Sequence, residues 1–424
     1  MAACKVTIKT MNKMKIIADE AIPYLKGIFE NECEVEYYPG SEITPQRVKD
    51  ADALIVRTRT KCNAQLLEGS KVKVIASATI GTDHIDRAWC QSHNIALFNA
   101  PGCNSGGVLQ YFLTALFKCL STRELWQKFL NSAPDDAGAE SSAAGTTAAG
   151  EGAAAAGAAA GAAAATATAA GDSAAESAPF TVGVIGVGNV GSKVAAACEG
   201  LGFEVLRNDP PKERQQTLAY NSGYLRIVDF KDYYSLDYLL ENSDVVTLHV
   251  PLDETTRGMA DANFFARMKP GAIFINSSRG EVVDEAALLA NLHKLAAVVL
   301  DVWVGEPKIN RELLQSAFIA TPHIAGYSAE GKIKGTQMAV EAIRRYMRDN
   351  GLTASTCPAA AGTCTIPEEQ PVPVDFRGKN IDEISQMLER IFPIQELSDA
   401  LKANPHTFEE MRNNYNYRHE LEIL

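Results

Sequence analysis

Two runs of short apolar blocks, spaced by amphipathic or turn-rich stretches, organise the chain. In the first, KIIAD (Lys15–Asp19), CEVEYY (Cys33–Tyr38), ALIVR (Ala53–Arg57), VKVIAS (Val72–Ser77) and IALF (Ile95–Phe98) are short and β-rich, which predicts buried strands. Between them, Pro23–Glu30, a segment opened by Thr44-Pro45, Gln65–Gly69 and Asp83–His93 read as helices, with Thr44 as an N-cap. In the second run, Thr181–Ile185, Phe203–Arg207, Asp244–His249, Ala272–Asn276, Ala297–Trp303 and Phe318–Thr321 are the predicted strands. Helices are expected at Ser192–Leu201, within Asp253–Met268 and at Glu285–His293, the last capped by Asp284. Such alternation predicts an α/β protein with two doubly wound parallel sheets. Gly106–Leu130 reads as a long helix leaving the first run, and Ser328–Arg348 as an amphipathic helix returning to it.

Composition sets the boundaries. At about 135–178 it collapses to Ala, Gly, Ser, Thr and a few acids, with nothing large enough to build a core, which predicts a disordered insert. A Thr/Ala/Pro-rich linker at 351–373 precedes a tail, Val374–Leu424, too short for a substantial core of its own. The tail is expected to pack on the first domain or on a second subunit. The expected organisation is a discontinuous substrate domain (14–104 and 322–350), a nucleotide-binding domain (105–321) and a small C-terminal α+β region (373–424). The first residues lack the apolar core of a signal peptide and the arginines of a transit peptide, and read as a ragged extension. The Ala/Gly tract at 152–171 is too weakly apolar for a membrane span.

Apolar residues make up 46% and charged residues 22%, an ordinary balance for a chain with sizeable cores. A net charge of −12 argues against a bulk nucleic-acid or anionic-membrane role while allowing a local basic pocket. The nine cysteines form no C-x-x-C pair and no zinc-like cluster with histidine, which points to reduced thiols in the cytoplasm and to no metal site.

The stretch PFTVGVIGVGNVGSK places Gly186-Val-Gly188-Asn189-Val190-Gly191 between a strand and a helix, the setting in which G-x-G-x-x-G binds a dinucleotide. Gly186 permits the tight turn, Gly188 admits the pyrophosphate and Gly191 lets helix and strand approach. Asp209, about 20 residues on, would hold the adenosine ribose and repel a 2′-phosphate, selecting NAD over NADP. Three later strand ends deliver Arg279, Glu306 and His323. A guanidinium to clamp a carboxylate, an imidazole to take a hydroxyl proton and an acid to orient the imidazole together suit hydride transfer from a 2-hydroxy acid.

GVGNVG, the run Asn276–Val302, GEP and TPHIAGY resemble the D-2-hydroxyacid dehydrogenases. KIIADEAIPY, DALIVRTRTK, SATIGTDHID, NAPGCN, NDPP and RNNYNYRHE are closer to the 4-phosphoerythronate dehydrogenase branch, which serves pyridoxal-phosphate biosynthesis. The resemblance implies a split substrate domain, an inserted Rossmann domain and a C-terminal dimerisation domain, hence a homodimer. It implies catalytic Arg279, Glu306 and His323, with NAD held at the glycine loop, Asp209, Val250, Pro251, Asp301 and Gly326. Asp301 would lie near the nicotinamide amide, and Thr58, Thr79 and Tyr327 would touch a small phosphorylated 2-hydroxy acid. For the distal phosphate, the RTRTK run offers Arg57, assisted by Lys61, provided the strand bends near Thr58. Arg418 would add charge from a partner subunit if the tail dimerises. Two other readings stay open: a phosphoglycerate or glycerate dehydrogenase with the same chemistry, and an NAD-sensing scaffold on the same fold.

Overall fold

The computed structural model describes residues 13–122, 180–222, 231–352 and 370–424. The expected insert, most of the 351–373 linker and nearly all of the N-terminal extension lie outside these residues. The described chain divides into two compact units, one up to Gly107 and from Tyr327 to Val372, the other Val108–Gly326 with Pro373–Leu424.

The first unit is a five-stranded parallel sheet of order β2-β1-β3-β4-β5, formed by β1 (Lys15–Asp19), β2 (Glu34–Tyr38), β3 (Ala53–Val56), β4 (Val74–Ser77) and β5 (Ala96–Phe98). Alternation along the strands fills two cores. Ile16, Ala18, Ile55, Val74 and Ala76 pack with Ile343 and Met347 on one face, while Ile17, Leu54, Val56 and Ile75 pack with Leu66, Leu67 and Cys90 on the other. One expected helix is absent: Pro23–Glu30 is a chain of turns. Tyr24 and Gly27 adopt left-handed φ, and the Glu30 carboxylate accepts the Gly27 and Phe29 N–H groups that a helix would have bonded internally. The Asp83–His93 helix is shortened to Arg87–Ser92, because Asp86 caps it by accepting from the Trp89 N–H. Thr44 stands at the N-cap of Pro45–Val48, but its hydroxyl makes no capping bond.

The second unit holds a six-stranded parallel sheet of order β11-β10-β9-β8-β6-β7. Its strands are β6 (Thr181–Ile185), β7 (Glu204–Asn208), β8 (Val245–Leu248), β9 (Ile273–Asn276), β10 (Ala297–Leu300) and β11 (Ile319–Ala320). Strand order reverses between β6 and β8, the switch point at which open α/β sheets bind ligands beyond the strands' carboxyl ends. Helices that matter below are α1 (Ser105–Ser121), α2 (Gly191–Gly200), α3 (Pro210–Asn221) and α4 (Ala329–Asp349), the last capped by Ser328.

The tail forms α5 (Ile381–Ile391), α6 (Ile394–Ala403), α7 (Phe408–Asn413) and a two-stranded sheet of β12 (Val372–Val374) and β13 (Leu421–Ile423). It packs within the second unit rather than on the first domain. Leu401 and Phe408 enter the core beside Leu313, Leu314 and Ala320, and the Ala320 N–H donates to Ser398 Oγ at 2.9 Å. The short β11 at the sheet's margin accounts for this placement: its apolar face and open N–H are covered by the tail's apolar residues and one hydroxyl.

Candidate active site

Apart from Arg418, every second-unit residue singled out from the sequence lies at or just beyond a carboxyl end of the six-stranded sheet. The glycine loop follows β6. Gly186 has φ +83°, and a Cβ there would meet the His249 carbonyl oxygen at 2.7 Å. A Cβ on Gly191 would fall 1.9 Å from the Gly186 carbonyl oxygen, so helix and turn could not both stay in place. At Gly188 an added Cβ meets nothing within 4 Å. Space at the middle glycine, beside an α2 N-terminus without a side-chain cap, fits a pyrophosphate.

Asp209 follows β7 and holds this loop from behind: Oδ2 accepts from the Val187 N–H at 2.8 Å while Oδ1 caps α3 through the Lys212 N–H at 3.0 Å. Val250 and Pro251 follow β8 on the other side of the switch point, with Val250 packed near Gly186. Asn189 is exposed on the loop, and Val190 is the α2 N-cap.

Beyond β9, Asn276 shapes the loop that carries Arg279. Its Oδ1 accepts from the Ser278 N–H and hydroxyl (3.0 and 2.8 Å), and its Nδ2 donates to the Arg279 carbonyl at 3.0 Å. The next residue must be glycine, because a Cβ on Gly280 would sit 2.1 Å from the Trp303 carbonyl carbon. That contact locks the Arg279 loop against the chain leaving β10, one strand away.

The last two groups form a dyad. His323 Nδ1 lies 2.8 Å from Glu306 Oε2, and Glu306 Oε1 accepts from the Trp303 N–H at 3.0 Å. A carboxylate only accepts, so Nδ1 carries the proton and the Nε2 lone pair is left to act as a base. Burial pushes the Glu306 carboxyl up, but the hydrogen bond and charge of His323, the Arg412 guanidinium and the Trp303 N–H outweigh it and hold it below its ordinary range. The other histidine near the glycine loop, His249, is pushed down to about 3 by burial and bonds Thr247, so it serves as a packing group.

His323 itself is held in a left-handed conformation (φ 58°) by Asp301. The Asp301 carbonyl accepts the His323 N–H, and its buried carboxylate accepts from Thr321 Oγ1, the Ile324 N–H and the Ala325 N–H at 2.7–2.8 Å. This loop-holding role was not foreseen in the sequence, because it depends on β10 and β11 being neighbours. Gly326 closes the same loop.

Arg418 departs from expectation. Its side chain is buried on its own chain, donating to the Ile324 and Ala325 carbonyls (3.1 and 2.6 Å) and to Gln110 Oε1, with the guanidinium 4.0 Å from the Phe392 ring centroid. Those two carbonyls belong to residues whose N–H groups Asp301 already binds, so they need a donor from elsewhere.

In the first unit, the expected bend occurs: β3 ends at Val56 and Arg57–Thr60 is a turn closed by the Thr60 N–H on the Arg57 carbonyl. Arg57 Nε donates to the fully buried Asp19 at 3.2 Å, between the ends of β1 and β3, where that sheet's order reverses. Thr58 is exposed in the turn, and Lys61 is exposed just beyond it. Thr79 follows β4 and bonds Ser77 and the Gly81 carbonyl, while the Tyr327 ring lies 3.7 Å from Lys332 Nζ.

The profile of the family described as "D-isomer specific 2-hydroxyacid dehydrogenase, NAD binding domain" matches residues 158–325. The erythronate-4-phosphate dehydrogenase of Bacteroides thetaiotaomicron is 37% identical over 414 residues, 96% of this chain and 97% of that one. The Escherichia coli protein of the same name is 36% identical over 340 residues, 79% of this chain and 74% of that one. Among solved structures, the D-lactate dehydrogenase of Aquifex aeolicus, complexed with NAD and lactic acid, superposes with a TM-score of 0.57 at 23% identity, covering 79% of this chain and 96% of that one. The NAD+-bound 3-phosphoglycerate dehydrogenase of Entamoeba histolytica gives 0.56 at 24%, covering 81% and 99%; these two establish the fold. The chain belongs to the erythronate-4-phosphate dehydrogenase family, within the NAD-dependent D-2-hydroxyacid dehydrogenases.

Proposed function

We propose that the protein oxidises 4-phospho-D-erythronate at its 2-hydroxyl to 2-oxo-3-hydroxy-4-phosphobutanoate, using NAD, in pyridoxal 5′-phosphate biosynthesis. The observation that carries this reading is the Glu306–His323 dyad on the sheet edge that also presents the glycine loop and Arg279. When bound, NAD supplies the hydride acceptor. His323 Nε2 takes the hydroxyl proton, Glu306 fixes the ring and balances its charge, and Arg279 pairs with the substrate carboxylate. Gly186, Gly188, Asn189, Val190 and Gly191 receive the pyrophosphate, with Val250, Pro251 and Gly326 beside the cofactor. Asp209 takes the ribose, and Asp301 lies near the carboxamide. Arg57, Thr58, Thr79 and Tyr327 contact the substrate, Arg57 at its phosphate. The family resemblance, which implies a C-terminal dimerisation domain, supports a homodimer. The six described cysteines are free and buried, which suits the cytoplasm.

Turnover of a panel of 2-hydroxy acids, followed by NADH formation, tests the reading. 4-Phospho-D-erythronate is expected to give the highest kcat/KM; higher values for phosphoglycerate or glycerate would reassign the substrate. An absence of turnover with any of them would favour the NAD-sensing scaffold.

Cofactor choice is tested separately. Asp209→Ala should weaken NADH binding about tenfold, the worth of one charge-assisted hydrogen bond, and narrow the preference over NADPH. Fluorescence titration of both nucleotides reads it. A wild-type protein that prefers NADPH would overturn the assignment.

A further inference from the structure

The tail reaches the catalytic edge at two points. Arg418 caps the carbonyls just after His323, and Arg412, on α7, meets the dyad itself. Arg412 Nη1 lies 3.6 Å from Glu306 Oε2, the same oxygen that pairs with His323 Nδ1. Both side chains are largely buried, at 19% and 18% exposure, so solvent screens the pair poorly.

A cation at this place acts in one direction. It stabilises the Glu306 carboxylate and disfavours a second positive charge on the neighbouring imidazole. Without it, the carboxylate would face the imidazole alone and the pair would retain a proton to higher pH. A base that already carries its proton cannot accept one from a hydroxyl.

The other ionisable groups around the pair are fixed by different partners. Burial pushes the Asp301 carboxyl up while His323 and its loop donors oppose that effect, and it holds the loop through three hydrogen bonds. Tyr111, on α1, bonds Thr321 Oγ1 and is pushed by burial well above its ordinary value, so it remains a neutral phenol. Arg418 is spent on backbone carbonyls, Gln110 and Tyr415. Among these groups, Arg412 is the cation in contact with Glu306.

We propose that Arg412 is a positioning residue that acts through Glu306 to set the pH range in which His323 can accept the substrate's proton. The proposal deepens the functional reading above and rests on it for the choice of substrate.

The test is the pH profile of kcat/KM for 4-phospho-D-erythronate with NAD, from about pH 5 to 9, in wild type, Arg412→Gln, Arg412→Met and Arg412→Lys. Removing the charge should move the acid limb up by about one pH unit, the order expected for a partly screened charge at this range. Arg412→Lys, which keeps the charge, should leave the limb near its wild-type position. Arg412→Met keeps the apolar stem and serves if the Gln variant does not fold. The His323 imidazole resonance, assigned by its loss in His323→Asn, gives a readout independent of turnover and should titrate at higher pH in the neutral variants. An unmoved limb and resonance, or equal shifts in the Lys and Gln variants, would overturn the proposal. If wild type fails on this substrate but oxidises another 2-hydroxy acid, the substrate assignment falls and the limb is read on that acid. If it oxidises none, the functional reading falls and the resonance alone decides the proposal.

Discussion

His323→Ala is expected to lower kcat by about 10²–10⁴-fold, the usual contribution of a positioned acid–base group, with NADH affinity retained. The geometry accounts for both halves. The 2.8 Å bond to Glu306 occupies Nδ1 and leaves Nε2 for the proposed proton transfer, whereas the glycine loop and Asp209 follow β6 and β7, on the other side of the switch point. Position 323 adopts φ 58°, where alanine is strained, so a second variant is needed. His323→Asn tolerates that backbone better, cannot act as the base and should lose a similar factor. Steady-state kinetics with nucleotide titration checks both variants. Turnover near wild type in either would remove His323 from the mechanism.

Arg57→Ala is expected to raise KM for 4-phospho-D-erythronate about ten- to a hundredfold while leaving KM for an unphosphorylated 2-hydroxy acid nearly unchanged. A lost charge-assisted bond to phosphate, about 1.5–3 kcal/mol, sets that range. Arg57 Nε serves the buried Asp19, and its terminal nitrogens make no further hydrogen bond among the described residues. That ion pair gives the substitution a structural cost as well, because an unpaired buried carboxylate destabilises a fold by up to about 3–5 kcal/mol. The contrast between substrates separates the two effects. Destabilisation alone would penalise both acids alike, and equal losses would show that Arg57 supports the fold without reading the phosphate. Asp19→Asn with Arg57→Ala relieves the buried charge and should keep the contrast while restoring part of the lost melting temperature.

Strands were legible wherever β-branched residues formed short runs bounded by turns, and so was the gathering of the candidate site residues at one sheet edge. Gly186, Arg279, Glu306 and His323 each follow a strand end by a few residues, and a parallel sheet then brings them to one edge. Local pattern misled where side chains competed for backbone groups. Glu30 takes the N–H groups that would have made Pro23–Glu30 helical, and Asp86 starts its helix later than apolar spacing suggested. The contacts of Asp301, Arg412 and Arg418 were not legible. Each is made at long sequence separation, such as Arg418 with Gln110, and no periodicity records which distant loop a cation will reach.

The three passages of the chain between its two units bear on how the protein folds. Helix α1, mostly in the second unit, is bonded to the tail by Lys118–Glu389 and Arg418–Gln110, 271 and 308 residues apart. In the first unit, Cys33 meets Met347 across 314 residues, and α4 packs on β4. Neither unit is therefore a contiguous stretch that can finish before the rest of the chain is made. Closing such long loops precedes the contacts that reward it, which favours slow acquisition of the native state and partly assembled intermediates with exposed sheet margins. Activity during refolding should accordingly lag behind the recovery of helical signal, because the Arg412 and Arg418 contacts with the Glu306 and His323 loops form only when the tail docks.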